Sequence, residues 1–122
     1  MRDTWDMARN LLAVRLDSMG DVLMTTPALR ALKESAPGRR ITLLTSPAGA
    51  EIVPLIPEID ATIVYEAPWM KATAPRRDSR LEYDMADLLR RQDFDAAVVF
   101  TVYSQNPLPS AFLCYLADIP LR

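Results

Sequence analysis

The sequence predicts an α/β fold, namely a doubly wound Rossmann-like parallel sheet of four strands in the order 3-2-1-4. Three observations lead to this prediction. Four short apolar runs have the length of buried strands, and a segment with helical periodicity or a helix-start signal follows each of them. Apolar strands that alternate with helices form parallel sheets covered on both faces. The 122 residues, half of them hydrophobic, suffice for one core of this kind.

The chain opens with a segment that has no regular apolar pattern. We expect residues 1–9 to form a loose tail and residues 10–122 to form the domain. The apolar run Asn10–Leu16 has the length of a buried strand and predicts the first strand. The polar stretch Asp17–Asp21 predicts the turn that leads into the first helix.

A proline lies inside the first predicted helix. Apolar residues between Val22 and Ser35 share one helix face, and a Pro-Gly pair ends the segment. Pro27 cannot continue the backbone hydrogen bonds of a helix interior. The helix therefore either kinks at this residue, or Thr26 caps a second segment with Pro27 in its first turn.

The next two apolar runs predict the second and third strands, Arg40–Thr45 and Ala61–Tyr65. Between them, Ser46 followed by Pro47 is typical of an N-cap and a first helical residue. We expect a short helix here, because further prolines follow within a few residues.

A loop over residues 67–78 precedes the next predicted helix. Ser79 and Glu82 fit a capping box and predict a helix that ends near Arg91. The side chains that we expect to face the core are Leu81, Met85, Leu88 and Leu89.

The last two elements are a fourth strand over Asp95–Thr101 and a helix over Leu108–Ala117. A doubly wound sheet usually continues with another strand beside the fourth one, which would otherwise be an exposed edge. We therefore expect a domain truncated before its last strands, or one whose missing edge is supplied by a partner chain.

Composition excludes several classes of protein. A net charge of −2 argues against a nucleic-acid partner. The chain has no histidine and a single cysteine, which excludes Cys/His metal sites, a disulfide framework and a histidine base. We expect Cys114 to be a core thiol, because its neighbours are apolar. The apolar runs are too short to span a membrane, and a cytoplasmic location is expected.

Ligands of open parallel sheets bind at the carboxyl ends of the strands where the strand order switches, here between strands one and four. In the loop after strand one, Gly20 permits a tight turn and close approach of a ligand. Asp21 falls in the first turn of the next helix, where the helix dipole stabilises an ionised carboxylate that can accept a proton from a sugar hydroxyl. The spacing equally fits a helix cap, with Ser18 bonding the turn and Asp17 as a turn residue.

Other loops carry further candidates for ligand binding. The loop after strand four offers hydroxyl and amide groups suited to sugar hydroxyls, at Thr101, Tyr103, Ser104, Gln105 and Asn106. The loop over residues 67–78 and the helix start after it hold cations suited to phosphate or carboxylate, at Lys71, Arg76, Arg77 and Arg80. Trp69 can stack on a sugar ring. The alternatives are helix capping for the first set and a solvated loop for the second. A single glycine near Asp21 does not make a dinucleotide fingerprint.

The stretch Val14–Leu32, VRLDSMGDVLMTTPALRAL, resembles the opening of the lipopolysaccharide heptosyltransferases, glycosyltransferase family 9. The family pattern is a strand followed by S-x-G-D-x-x-x-x-x-P-A-L. The matching residues are Ser18, Gly20, Asp21, Pro27, Ala28 and Leu29. Residues 37–60 and 94–120 are similar to the second strand and helix and the fourth strand and helix of the family, so that the resemblance covers nearly the whole chain.

The resemblance implies the N-terminal, acceptor-side half of a GT-B enzyme that inverts the anomeric centre without a metal or other cofactor. It implies that Asp21 is the catalytic base, on a loop shaped by Ser18, Met19 and Gly20. The nucleotide-sugar donor, typically ADP-heptose, would bind a C-terminal domain that is absent here, so we expect this chain alone to be inactive. The implied acceptor is an anionic glycan or glycolipid, facing Arg76 and Arg77. A glycolipid acceptor further implies peripheral contact at the inner face of the membrane.

Two other classes of protein share features with this sequence. A response-regulator receiver has this length and sheet, and Asp17 and Thr101 fit it loosely, but strand three is followed by Glu66 rather than ending in an aspartate. A non-catalytic scaffold domain derived from a glycosyltransferase would use the apolar last helix to dock on a partner chain.

Overall fold

The computed structural model describes residues 4–122 and confirms the predicted fold class. Four parallel strands form one sheet in the order β3-β2-β1-β4, as predicted. The strands are β1 (Asn10–Arg15), β2 (Arg40–Thr45), β3 (Ala61–Val64) and β4 (Ala96–Val99). Each lies within one residue of its predicted start, and each ends at or before its predicted last residue.

In the described residues 4–122, five α-helices flank the sheet and two short 3-10 segments accompany them. The helices are α1 (Met19–Met24), α2 (Thr26–Glu34), α3 (Pro47–Ala50), α4 (Arg80–Arg91) and α5 (Leu108–Leu116). The 3-10 segments are Trp5–Met7 and Val53–Leu55. No helix within residues 4–122 is long and apolar enough to cross a membrane.

The central strand β1 divides the core into two layers, because alternate side chains of a strand point to opposite faces. Leu12 and Val14 belong to the layer that also contains Leu89 of α4 and Leu113 of α5. Leu11 belongs to the other layer, together with apolar residues of α1, α2 and β2. All six backbone positions of β1 pair with β2, and four of them also pair with β4. β1 is therefore buried on both faces and at both edges.

The expectation of a loose tail is wrong for residues 4–9, and residues 1–3 lie outside the described part of the chain. Ala8 is completely buried, and its carbonyl accepts a hydrogen bond from Arg39 Nε at 2.9 Å. The N–H groups of Arg9 and Asn10 both donate to Asp95 Oδ2, each at 2.9 Å. These contacts fix the backbone of the tail to the sheet, although its sequence has no regular pattern.

The proline in the first helical region starts a new helix. α1 begins at Met19, earlier than predicted, and ends before Thr25. α2 then begins at Thr26 with Pro27 in its first turn, which confirms the second of the two alternatives. The N-cap residue differs from the prediction: Thr25, rather than Thr26, occupies this position, and it makes no side-chain capping bond.

The predicted capping box of α4 is not formed. Ser79 makes no side-chain capping bond, and the N–H of Arg80 instead donates to Asp78 Oδ1 at 3.1 Å. The side chain of Glu82 turns away to partners in the preceding loop. Leu81 is 53% exposed, so its predicted place in the core is also wrong.

The outer edge of β4 is partly paired within the chain. Leu121 forms a parallel bridge with Ala96, and the N–H of Ala97 donates to the Leu121 carbonyl at 2.8 Å. The expected open edge is thus covered at this point.

Candidate functional site

A cleft of about 860 Å³ opens at the carboxyl ends of the strands, where the sequence predicts the site. All four strand-to-helix connections contribute to its walls. Asp17 and Ser18 follow β1, and Ser46 follows β2. The loop after β3 provides residues from Tyr65 to Thr73, and the loop after β4 provides Phe100, Thr101, Ser104, Gln105 and Asn106.

Ser18 and Asp21 form a capping box at the start of α1. The Asp21 N–H donates to Ser18 Oγ at 3.4 Å, while the Ser18 hydroxyl and N–H donate to Asp21 Oδ2 at 3.0 and 3.4 Å. The capping role that the spacing suggests is therefore real. The side chain of Asp21 remains 37% exposed, so the cap does not hide its carboxylate from a ligand.

Arg15, the last residue of β1, is part of this arrangement, and sequence reasoning missed it. Its side chain is only 9% exposed. Nη2 lies 3.3 Å from Asp21 Oδ1, and Nε lies 3.3 Å from Asp17 Oδ1. One buried cation therefore faces both carboxylates that follow β1. The available signal was an arginine at the end of an apolar strand, with aspartates two and six residues later.

Asp17 joins three of the loops around the cleft. Its Oδ2 accepts a hydrogen bond at 2.7 Å from Nε2 of Gln105, which belongs to the loop after β4. Its backbone carbonyl accepts from Ser46 Oγ at 2.6 Å, in the loop after β2. Gln105 Oε1 in turn accepts from the Val102 N–H at 3.1 Å. Gln105 therefore positions the wall of the cleft with both ends of its amide.

The structure brings some of the predicted site residues together. Ser18, Ser104 and Gln105 line the cleft, whereas Met19, Gly20 and Asp21 occupy the adjoining first turn of α1. A side chain at position 20 would meet only Ser18 Oγ, at 3.8 Å. The protein therefore leaves space beside this turn.

The basic loop after β3 divides into two parts. Lys71 and Trp69 line the cleft, and the Trp69 ring packs edge-on against Tyr65 with centroids 5.8 Å apart. Arg76 is instead ion-paired with Glu82, and its Nη1 donates to the Glu66 carbonyl at 2.8 Å. The hydrogen bond that Arg76 donates to the Glu82 carboxylate raises the pKa of Arg76.

Arg76 and Tyr65 share the carboxylate of Glu82. The Tyr65 hydroxyl donates to Glu82 Oε2 at 3.0 Å, and burial together with this bond raises the pKa of Tyr65. Arg77, the neighbour of Arg76, is exposed. The two arginines predicted to bind a ligand are thus different: one holds the loop, and the other faces solvent.

Cys114 is completely buried, as predicted for a core thiol. Burial raises its pKa to about 11, so the thiol stays protonated at neutral pH. In the described residues 4–122, no three His, Cys, Asp or Glu side chains are grouped for a metal ion. No aspartate stands at the end of β3, where a receiver domain needs its phospho-acceptor, since the strand ends at Val64 and Tyr65 and Glu66 follow.

No protein-family model and no curated protein matches the chain. Among solved structures, the chain is similar to the glycosyl transferase family 9 from Veillonella parvula DSM 2008, with a TM-score of 0.70 and 19% identity. The fold is glycosyltransferase-like. The similarity covers 98% of this chain but 32% of the other, so the chain spans about a third of that protein's length.

Proposed function

We propose that this chain is the acceptor-side domain of an inverting glycosyltransferase similar to the lipopolysaccharide heptosyltransferases. The observation that carries the proposal is the placement of Asp21, partly exposed on the first turn of α1 beside a cleft at the carboxyl end of the sheet. The sequence motif from Ser18 to Leu29 and the similarity to a glycosyl transferase family 9 structure support it.

In the proposed reaction, Asp21 is the general base. A hydroxyl of the acceptor attacks the anomeric carbon of the nucleotide-sugar, and Asp21 takes the proton of that hydroxyl as the new C–O bond forms. The bond from the anomeric carbon to the leaving phosphate breaks on the opposite face, which inverts the centre and releases the nucleoside diphosphate. Ser18 and Arg15 hold the carboxylate in place, because each contacts a different oxygen of Asp21.

The cleft supplies surfaces that suit a glycan acceptor. Trp69 and Tyr65 offer aromatic surface for sugar rings, and Ser18 and Ser104 offer hydroxyls for hydrogen bonds to sugar hydroxyls. Met19 and Gly20 shape the loop before Asp21. Gln105 positions the wall of the cleft indirectly, through the hydrogen bond that it donates to Asp17.

The positive charge for an anionic glycan or glycolipid comes from the loop after β3. Lys71 and Arg77 are exposed there, and Arg76 secures the loop through Glu82. In this assignment Arg77 binds the anionic acceptor, whereas Arg76 positions the loop that carries it. A glycolipid acceptor would place the protein in the cytoplasm, at the inner face of the membrane.

The nucleotide-sugar donor, ADP-heptose in the proposed case, would bind to a second domain. This agrees with the chain spanning about a third of the similar structure. The chain alone is therefore expected to transfer no sugar, and neither a metal nor another cofactor enters the proposed reaction.

The test is a transfer assay on a protein that carries both the acceptor-side and the donor-side domain. Asp21→Asn keeps an oxygen that can accept the Ser18 bond but removes the base, so we expect transfer to fall by roughly 100-fold or more while the acceptor still binds. Asp84→Asn, at an exposed position on α4, is the matched control and should leave transfer unchanged. Full transfer by the Asp21→Asn protein, or transfer by the 122-residue chain alone, would contradict the proposal.

One observation favours the second candidate, a non-catalytic scaffold domain with a partner chain. Leu108, Phe112 and Tyr115 form an apolar face of α5 that is between 56% and 68% exposed. In a scaffold, Asp21→Asn would have no effect on the assembled complex, whereas Phe112→Ser would weaken the assembly. The pair of substitutions separates the two functions.

A further inference from the structure

We infer that the first turn of α5 is a subsite for a phosphoryl group carried by the ligand in the cleft. The inference rests on the proposed function, because it names a chemical group on one of the substrates that the same cleft would take. It depends on Ser110 and Asn106, to which the proposed reaction gives no role.

The N–H groups at the start of α5 leave one donor without a partner in the described residues. The Leu108 N–H is capped by Asn106 Oδ1 at 3.0 Å, and Pro109 has no N–H. Ala111 already donates to the Pro107 carbonyl at 3.0 Å. The remaining donor is the N–H of Ser110, at the positive end of a nine-residue helix.

The side chain of Ser110 is a second, independent indication of a ligand. The residue is 5% exposed and lines the cleft. Within residues 4–122 its hydroxyl makes no hydrogen bond, and its oxygen is not among the fully buried atoms without a partner. A hydroxyl that is free of protein partners and accessible from the cleft is suited to bind a ligand atom.

The surroundings of Ser110 favour an anion. Because the Asn106 oxygen is used by the Leu108 N–H, its amide NH2 is left to donate to a ligand. The chain from Thr101 to Ser110 contains no acidic residue. The carboxylate of Asp17 in the same cleft is ion-paired with Arg15, which it shares with Asp21, and is held by Gln105.

The donors around Ser110 fit a phosphoryl group better than a sugar hydroxyl. Phosphate oxygens only accept, so they can use the Ser110 N–H, the Asn106 NH2 and the Ser110 hydroxyl together, whereas a sugar hydroxyl can donate only to the last of these. Phosphate oxygens accept several such bonds at a helix N-terminus. Lys71 lines the same cleft and adds positive charge. The phosphoryl group could belong to a phosphorylated glycan or to the diphosphate of a nucleotide-sugar.

The test is an NMR titration of the 122-residue chain, following backbone ¹H–¹⁵N signals. The probes are inorganic phosphate, a hexose 6-phosphate, ADP and, as a neutral comparison, a methyl hexoside. We expect the Ser110 signal to shift and saturate with the three phosphate-bearing probes. Tighter binding of the hexose phosphate than of ADP would assign the group to the acceptor, and the reverse order would assign it to the donor.

Two variants connect the signal to the site. Ser110→Ala should weaken phosphate binding roughly 10-fold, since one bond to a charged group is lost. Asn106→Asp keeps the oxygen that caps Leu108 but adds negative charge, so α5 stays folded and binding should be lost. Ser79→Ala, at the start of α4, is the matched control and should bind phosphate as the unchanged chain does.

Three results would overturn the inference: an unchanged affinity in Ser110→Ala, equal shifts at the first N–H groups of α4, or equally tight binding of the methyl hexoside at Ser110. The proposed function is tested separately. Phosphate binding at Ser110 with full transfer by Asp21→Asn would refute the function alone. Transfer that depends on Asp21 without phosphate binding at Ser110 would refute the subsite alone.

Discussion

The guanidinium of Arg15 lies 3.3 Å from the Asp21 carboxylate, which joins the end of β1 to the first turn of α1. The same guanidinium lies 3.3 Å from Asp17. Arg15 and Asp17 have side chains that are 9% and 10% exposed, whereas that of Asp21 is 37% exposed. A single buried cation thus offsets two carboxylates, and one of them still reaches solvent. This arrangement holds the Asp21 carboxylate in place and leaves it accessible.

Arg15→Met should destabilise the fold, because it leaves the buried carboxylate of Asp17 without its cation. Breaking a buried ion pair costs about 3–5 kcal/mol, and the exposure of Asp21 reduces this, so we expect a loss of about 2–3 kcal/mol in the free energy of unfolding. Urea denaturation measures this loss.

The matched control is Arg91→Met. Arg91 pairs with Asp87 on the surface of α4, where both side chains are more than half exposed. Its loss should cost less than about 1 kcal/mol. If both variants lost equally little stability, Arg15 would not stabilise the aspartates as described.

A second prediction compares two serines in similar sequence patterns. Ser18 and Ser79 both stand three residues before an acidic residue, but only Ser18 makes the capping bonds. Ser18→Ala should therefore cost about 1 kcal/mol of unfolding free energy, whereas Ser79→Ala should cost nearly nothing. Thermal or urea unfolding of the two variants in parallel decides this; a larger loss at Ser79 would run against the structure.

These two serines show why local patterns predicted only part of the structure. The pattern Ser-x-x-Glu at residues 79–82 fits a capping box, yet Tyr65 and Arg76 bind Glu82 instead. That competition comes from residues outside the four-residue pattern. The strands were predictable because burial between two layers needs continuous apolar runs, which are visible in the sequence itself.

The site was predictable as a set of loops but not as a set of contacts. The rule that ligands bind at the carboxyl ends of parallel strands placed Ser18 and Gln105 near one cleft. This rule could not show that Gln105 donates a hydrogen bond to Asp17, or that the Arg15 guanidinium contacts both aspartates. The Gln105–Asp17 bond joins residues 88 positions apart, and the short spacing from Arg15 to the two aspartates does not by itself fix the direction of the arginine side chain.

A third prediction concerns the glycine in α3. A side chain at Gly49 would overlap Thr45 Oγ1 and lie 2.9 Å from Val22 Cγ2, so both neighbours would have to move. Gly49→Ala should therefore cost about 1–3 kcal/mol of unfolding free energy. Gly20→Ala meets nothing closer than 3.8 Å and should be neutral or slightly stabilising. Equal unfolding midpoints for the two variants would contradict the close packing of α3 on β2.

A fourth prediction concerns stability in acid. Glu58 is buried, and hydrogen bonds from its own backbone and from Arg30 lower its pKa below the ordinary value of 4.5. Because the folded carboxyl binds its proton at lower pH than the unfolded one, its contribution is complete well above pH 4.5 and is lost as pH falls toward the folded pKa.

Glu58→Gln should accordingly lower stability at neutral pH and flatten its decline in acid. Glu34→Gln, at an exposed position on α2, is the control and should keep the steeper decline. Urea unfolding at several pH values from neutral to about pH 3 measures both slopes. A Glu58→Gln protein with the same acid slope as the unchanged chain would exclude this carboxyl as a source of the dependence.

The last prediction separates the two adjacent arginines of the loop after β3. Arg76 is ion-paired with Glu82 and donates to the Glu66 carbonyl, so it ties this loop to α4. The loop amides of Met70 and Thr73 are hydrogen-bonded within the loop, to Ala67 and Met70, and report on its order.

Arg76→Met should speed hydrogen exchange at the amides of Met70 and Thr73 several-fold and lower the Tm, because the Glu82 carboxylate loses its cation. Arg77→Met should leave exchange and Tm unchanged, since Arg77 is exposed. In the two-domain protein, however, Arg77→Met should weaken binding of an anionic acceptor, because its charge is available to a ligand. If instead Arg77→Met loosened the loop and Arg76→Met did not, the roles assigned to these neighbours would be reversed.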